Sequence, residues 1–269
     1  MKIFRFKYNP AELLPYIDWS YFYHAWRIKP EEQSSHEGLE LKREAMELLA
    51  ANSDKQIFAT FCLCSAHSDG DDIIVEGQRF PMLRQQHNDA ERPNLCLADF
   101  ISPIEDKIGL FATSVEGNFE NSYPDDDYRH MVMQTLGDRL AEAAASRLHS
   151  IVRTSKELWG YSPEENFTPQ ELNSEPYTGI RPAIGYPSLP DQSIIFLLDR
   201  ILHLQNIGIE LTPSGAMLPH SSVCGLMFAH PAARYFSVGR IDAAQLADYA
   251  QRRGIEMESA KKFLSRNII

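Results

Sequence analysis

The sequence predicts an α+β fold in which helices pack on a mixed or antiparallel sheet, and two pairs of apolar, β-rich segments carry this prediction. Residues 56–64 and 72–76 are separated by a turn that contains Asp69-Gly70, a dipeptide typical of tight hairpins. Residues 222–230 and 234–241 are joined by a short Pro-Ala-Ala connection, which favours antiparallel neighbours. Elsewhere the apolar residues recur at helical spacing, so both element types are expected.

The N-terminal part of the chain is predicted to contain a strand followed by two helices. Residues 1–8 alternate charged and apolar side chains, which is typical of a strand. Asp18 is suited to capping a short helix, or it could be a carboxylate at the mouth of an aromatic pocket. A longer amphipathic helix is predicted over 37–51, with Leu39 and Met46 among the residues of its apolar face.

The middle of the chain is predicted to contain a second pair of strands and the longest helix. Residues 95–103 and 107–113 are rich in β-forming side chains. Three acidic residues at 125–127 begin the helix, because negative charge there complements the helix dipole. Spacing alone favours Glu142 as a solvated helical residue that pairs with Arg139, one turn away.

The C-terminal part adds three predicted helices. The first covers 192–205, and Gly208 ends it. Asp242 is predicted to cap the second, over 243–253. The third runs from about 257 to 264.

Composition and charge exclude several classes of protein. The net charge is −11 and no Lys/Arg stripe occurs, which argues against nucleic-acid binding. The longest apolar run, 194–204, is interrupted by two charged residues and is too short to span a bilayer, so we expect a soluble, cytoplasmic protein. No metal site is predicted, since the cysteines lack paired zinc-ligand spacing and are expected to be buried thiols. These cysteines are Cys62, Cys64, Cys96 and Cys224.

The segment most suggestive of function is the loop of residues 181–187. Two prolines stiffen it around Gly185, which can adopt a positive φ or let a ligand approach the backbone. Arg181 offers a planar fork suited to a carboxylate, and Tyr186 offers a ring face and a hydroxyl. From the pattern alone the favoured interpretation is a Pro-rich turn, with Arg181 solvated and Tyr186 packed on the core.

Together with several other segments, this loop resembles the S-adenosylmethionine-binding reactivation domain of cobalamin-dependent methionine synthase. The resemblance extends along nearly the whole chain. It implies one C-shaped α+β domain over residues 1–269, built around a twisted antiparallel sheet. The matching segments are 16–19, 70–73, 96–100, 138–142, 159–161, 179–187, 210–219, 222–225 and 238–254.

The resemblance also implies a set of ligand contacts, and it implies no catalytic residue in this chain. Asp18 and Glu142 match acidic contacts, Arg181 matches the contact to the methionine carboxylate, and the remaining residues match the loop and an aromatic pair. These residue types suit a ligand that carries a carboxylate, an ammonium and a sulfonium. The predicted contacts are Asp18, Glu142, Arg181, Ala183, Gly185, Tyr186, Tyr235 and Phe236.

The function implied by the resemblance is that of a methyltransferase component. It would bind S-adenosylmethionine and support reductive methylation of cob(II)alamin on a separate methionine synthase protein, restoring methylcobalamin, with a flavodoxin-like electron donor. The Asp-x-His-x-x-Gly motif of cobalamin modules does not occur in the chain. Cobalamin is therefore expected on a partner, and the start at Met1 favours a free-standing protein. A module that only senses ligand or docks, and a reactivator of a different corrinoid protein, are the alternatives.

The chain departs from the family pattern at several positions, among them Ser188-Leu189, where the family usually has Ala-Cys. Gln192 occupies the position of a usual histidine, and Phe236 replaces the second tyrosine of the aromatic pair. Pro213 and Gly215 replace an acidic and an aromatic residue. These differences predict a local change in the shape of the groove.

Overall fold

An antiparallel sheet organises the computed structural model, which describes residues 1–87 and 92–268. The strands of these described residues are β1 Ile3–Tyr8, β2 Ile57–Asp69, β3 Asp72–Val75, β4 Gln78–Pro81, β5 Asp106–Val115, β6 Glu210–Leu211, β7 Met217–Leu218 and β8 Ser222–Met227. Six of them pair in one sheet in the order β4-β3-β2-β5-β8, with β1 also paired to β2. The other two, β6 and β7, form a separate two-stranded sheet.

Helices cover both faces of this sheet, so the predicted α+β class is confirmed. The α-helices are α1 Pro10–Leu13, α2 Trp19–Ala25, α3 His36–Ala51, α4 Asp127–Thr154, α5 Ile195–Leu202, α6 Ala243–Arg253 and α7 Met257–Phe263. Among the described residues, none of these helices is both long enough and apolar enough to cross a membrane. The organisation of residues 1–269 as one domain stays a prediction.

The two faces of the sheet belong to two hydrophobic cores, because side chains alternate along each strand. In β2, Ile57 and Phe61 pack with α1 to α4, whereas Cys62 and Cys64 pack on the other face with α5. All four cysteines are buried and free, as predicted. A third core joins α6 and α7.

Helix starts follow the predicted caps. The carboxylate of Asp18 accepts a hydrogen bond from the backbone N–H of Ser20 at 2.9 Å, which caps α2. Asp126 caps α4 and Asp242 caps α6 in the same way. The hairpin of β2 and β3 is also confirmed, with Gly70 in a left-handed conformation at its turn.

Three predicted features of local structure are wrong. Residues 95–103 form no strand, because the carboxylate of Asp99 accepts a hydrogen bond from the Cys96 N–H at 2.8 Å and begins a 3₁₀ turn. On α3, Leu39 and Met46 are 57% and 36% exposed, so the buried stripe lies on the Leu41 side of the helix. The predicted helix over 192–205 is broken at 203, where the backbone is left-handed, into α5 and two short 3₁₀ turns.

A fourth error determines where the candidate site lies. Residues 234–241 do not pair with β8, because residues 180–184 occupy that edge. The Ile184 N–H donates to Cys224 O at 2.9 Å, and the Leu226 N–H donates to Pro182 O at 3.1 Å. The 181–187 loop is therefore fixed to the main sheet at one end.

Candidate functional site

The sheet edge sets the direction of the side chains that begin the loop. Ala183 packs in the core that includes α4, whereas Ile180 and Ile184 pack in the core on the opposite face. Because side chains alternate in an extended segment, Arg181 points toward α4 with Ala183. The backbones of β8 and of the loop lie so close together that a Cβ on Gly225 would clash with Pro182 O.

An ion pair joins this edge to α4. Arg181 Nη1 lies 3.3 Å from Glu142 Oε2, and the Tyr186 hydroxyl donates to Glu142 Oε1 at 2.9 Å. The backbone N–H of Arg181 donates to the Tyr235 hydroxyl at 3.0 Å. The expectation that Glu142 pairs with Arg139 is wrong, because the guanidinium of Arg139 lies over the ring of Tyr21, 5.5 Å from its centroid. The loop is thus more than a solvated turn.

These side chains form part of the wall of a cavity of about 560 Å³. Such a volume is within the range of small-molecule sites, about 300–1,000 Å³. Seven of the eight predicted contact residues line it, and Gly185 is the exception. The seven are Asp18, Glu142, Arg181, Ala183, Tyr186, Tyr235 and Phe236.

Both interpretations of Asp18 hold in the structure. Its carboxylate caps α2, and it also lies in the cavity wall near the rings of Tyr16 and Tyr21. The cap fixes the position of this carboxylate, because one oxygen is held by the first turn of the helix.

Gly185 has a different role from the predicted opening in the wall. Its φ is +86°, and a Cβ there would lie 2.6 Å from Gln192 Oε1, whereas the cavity is lined by its neighbours Tyr186 and Pro187. Glycine is required here by the turn and by the close approach of Gln192.

Comparison with known proteins identifies the family to which this fold and cavity belong. The sequence profile of the vitamin B12-dependent methionine synthase activation domain matches residues 10–254. The chain belongs to this family. The crystal structure of the MetH reactivation domain bound to AdoHcy is 33% identical, with a TM-score of 0.92, over 100% of this chain and 90% of that one. The predicted resemblance is confirmed.

The cavity of this activation domain contains a charged residue that was not predicted from the sequence. Glu175 lies in the wall, and burial raises the pKa of its carboxyl, although the positive charge of Arg181 opposes this. Its backbone is left-handed, with φ +52°, so a turn presents the side chain. Neither charge patterning nor periodicity marked this residue, because its neighbours in the fold are distant in sequence.

Tyr177 is the second cavity residue that sequence reasoning missed. The guanidinium of Arg153 lies 4.0 Å from the centroid of its ring, and the ring of His149 meets it edge-on at 5.1 Å. Arg153 is itself buried and pairs with Glu165 at 2.6 Å. Tyr177 is therefore held from behind by a buried polar network on the C-terminal half of α4.

The electrostatics of the cavity are set mainly by Glu142. The charge of Glu142, together with burial and their hydrogen bond, raises the pKa of Tyr186 to about 12. Burial is the largest single influence on the pKa of Arg181 and acts to lower it, but the charge of Glu142, the nearby Tyr235 and Tyr177 and the hydrogen bond to Glu142 together outweigh it, so the pKa lies above its usual value. Across the physiological pH range, Tyr186 therefore stays an uncharged phenol and Arg181 a charged guanidinium.

Proposed function

We propose that this chain binds S-adenosylmethionine in the 560 Å³ cavity and serves as the methyl-donating module of a methionine synthase system. The observation that carries the proposal is the Arg181–Glu142 pair, which places an acidic and a basic group 3.3 Å apart in the cavity wall. Family membership and the AdoHcy bound to the similar MetH domain support it.

The charges of the cavity fit a zwitterionic ligand. Arg181 and Glu142 both line the cavity, and their side chains keep 18% and 24% of their surface exposed, so a ligand can reach both charges. A ligand carboxylate would take the Arg181 fork, and a ligand ammonium would take Glu142 or Asp18. When the ligand binds, the Arg181–Glu142 ion pair would be replaced by two ion pairs with the ligand. Every buried charge would stay paired, which avoids the cost of an isolated charge.

The aromatic side chains fit the sulfonium part of the same ligand. Tyr186 and Tyr235 are 52% and 39% exposed and line the cavity together with Phe236. Ring faces attract a desolvated cation, by about 0.5–2 kcal/mol. Phe236 lacks a hydroxyl but retains the ring, and its backbone N–H donates to Ser188 Oγ at 3.2 Å, which ties it to the loop.

The protein's contribution is binding and orientation. Bound S-adenosylmethionine supplies an activated methyl group, so no general base is needed from this chain. The acceptor is reduced cobalamin carried by a separate corrinoid protein, and an external one-electron donor such as a flavodoxin-like protein supplies the reduction. Arg181 and Glu142 orient the donor, and the aromatic wall keeps water from the sulfonium.

A mixing experiment tests this role. A cobalamin-loaded methionine synthase core that lacks its own activation domain is poised as cob(II)alamin, with S-adenosylmethionine and a reductant, and its visible spectrum is followed. We expect conversion to methylcobalamin with this chain and little with its Arg181→Ala variant. An equal change without the chain, or no change with any corrinoid partner, would contradict the role. In the second case, ligand binding alone would favour a sensing module.

A further inference from the structure

The side chain of Gln192 lies between two turns that are distant in sequence. Its Nε2 donates to Gly215 O at 2.8 Å, at the turn between β6 and β7. Its Oε1 faces Gly185, at 2.6 Å from the position that a Cβ would occupy. Gln192 does not line the cavity, although Tyr186 and Pro187, which follow Gly185, do.

The contact is tight on both sides, because two glycines make room for it. Gly185 and Gly215 both have left-handed backbones, with φ of +86° and +79°. A Cβ on Gly215 would lie 3.2 Å from the backbone oxygen of Gln192 and 3.3 Å from its Cγ. A side chain at either position would therefore crowd Gln192, and glycine at both positions leaves room for it between the two turns.

The backbone that carries Gln192 is also anchored. Asp191 is buried and accepts hydrogen bonds from the Tyr249 hydroxyl at 2.5 Å and the Ser193 N–H at 2.7 Å. Arg253 donates to Ser193 O at 2.9 Å. Because Tyr249 and Arg253 belong to α6, this helix fixes the backbone on both sides of Gln192, whose side chain extends toward the loop.

We propose that Gln192 is a positioning residue for the ligand cavity: it holds the Gly185 turn at the place where Tyr186 meets Glu142. The inference rests on the proposed function as far as the ligand is concerned. The position of the Gly185 turn can be tested without any ligand. The readout is the hydrogen bond that the Tyr186 hydroxyl donates to Glu142 at 2.9 Å, because this bond requires the turn to stay in place.

Gln192→Ala separates this role from general packing. Two properties are measured: the pKa of Tyr186, by NMR of ¹³Cζ-labelled tyrosine with Tyr186→Phe as the assignment, and the affinity for AdoHcy by calorimetry. We expect the pKa to fall from about 12 toward the ordinary value. We also expect AdoHcy to bind about tenfold more weakly, the scale of one lost hydrogen bond.

Gln78→Ala is the matched control. Gln78 also donates from its side chain to a backbone carbonyl, that of Leu197 at 3.3 Å, but far from the cavity. This variant should leave both the Tyr186 pKa and the AdoHcy affinity unchanged, because a lost amide contact elsewhere should not reach the loop.

A second pair of variants decides the question if Gln192→Ala does not fold. Gly215→Ala and Gly208→Ala both place alanine at a positive φ, but only the Cβ at 215 would press on Gln192. We expect Gly215→Ala to lower the Tyr186 pKa and Gly208→Ala to leave it unchanged. An unchanged pKa in Gln192→Ala, or equal effects of the two glycine variants, would overturn the positioning role. Failure of the unsubstituted protein to bind AdoHcy would contradict the proposed function, while the pKa would still test the Gln192 contact.

Discussion

Arg181 Nη1 and Glu142 Oε2 lie 3.3 Å apart, so the edge of the sheet and the middle of α4 meet through opposite charges. Charge-assisted hydrogen bonds are usually shorter, about 2.7–2.9 Å. Both side chains remain accessible, with 18% of the Arg181 surface and 24% of the Glu142 surface exposed. The pair can thus exchange its contact for ligand groups without leaving a buried charge alone.

Removal of the guanidinium should weaken ligand binding. Arg181→Ala is expected to cost about 1.5–3 kcal/mol of AdoHcy affinity, the scale of a lost charged hydrogen bond. Calorimetric titration measures it. Arg129→Ala is the control, because that arginine is exposed near the start of α4, the helix that carries Glu142, and forms a 3.5 Å ion pair with Asp126. Equal affinities for the two variants would mean that the ligand lies elsewhere.

Removal of the Glu142 charge should lower the pKa of Tyr186. The pKa of about 12 reflects chiefly that charge, so Glu142→Gln should return it toward 10. The hydrogen bond to Glu142 favours the neutral phenol of Tyr186. Its contribution to folding stability is therefore complete below the pKa of the unfolded state and is lost as the pH rises through the pKa of the folded state. Tyrosine NMR measures the shift. Glu44→Gln should instead lower the pKa of Tyr128, which is also raised to about 12 and donates to Glu44.

His149 should make folding stability depend on pH. Burial, with Arg153 and Arg181 nearby, holds its pKa well below the usual 6.5. The folded state therefore binds fewer protons, and this contribution to stability is present above pH 6.5 and declines as the pH falls below it. The difference in unfolding free energy between wild type and His149→Gln should decline by about 1.4 kcal/mol per pH unit there. Denaturant titrations between pH 4 and 7 measure it, with the exposed His36→Gln as control.

The buried pair behind the cavity should be important for stability. Arg153 is 1% exposed and pairs with Glu165, whose other oxygen accepts from the Thr178 N–H at 3.1 Å. Glu165→Ala leaves the guanidinium buried without a partner and is expected to cost about 3–5 kcal/mol of unfolding free energy. Breaking the exposed Arg43–Glu47 pair by Glu47→Ala should leave the unfolding free energy nearly unchanged, because solvent screens both charges. Similar costs in urea unfolding would show that Arg153 is solvated.

The parts of the fold that could be predicted from sequence are those that local chemistry determines. Asp18, Asp126 and Asp242 cap helices because a short carboxylate next to a helix start satisfies free N–H groups wherever it occurs. The β2–β3 hairpin likewise follows from its turn residues. Such features depend on neighbours within a few residues.

The errors occur where distant segments compete. Residues 234–241 have strand-like composition, but residues 180–184 take the edge of β8 that they would have needed. Glu142 has Arg139 as its neighbour in the helix, but Arg181 reaches it from 39 residues away. The site residues themselves came from the resemblance, whose motifs encode such distant contacts. Glu175 lay outside those motifs and was missed.

The most direct test of the account is the crystal structure of this chain with AdoHcy. We predict ordered ligand in the 560 Å³ cavity, with its carboxylate on Arg181, its ammonium on Glu142 or Asp18, and its thioether beside the rings of Tyr186 and Tyr235. Ligand ordered at another site, or a cavity that stays empty at saturating ligand concentration while Arg181 and Glu142 remain paired, would contradict it.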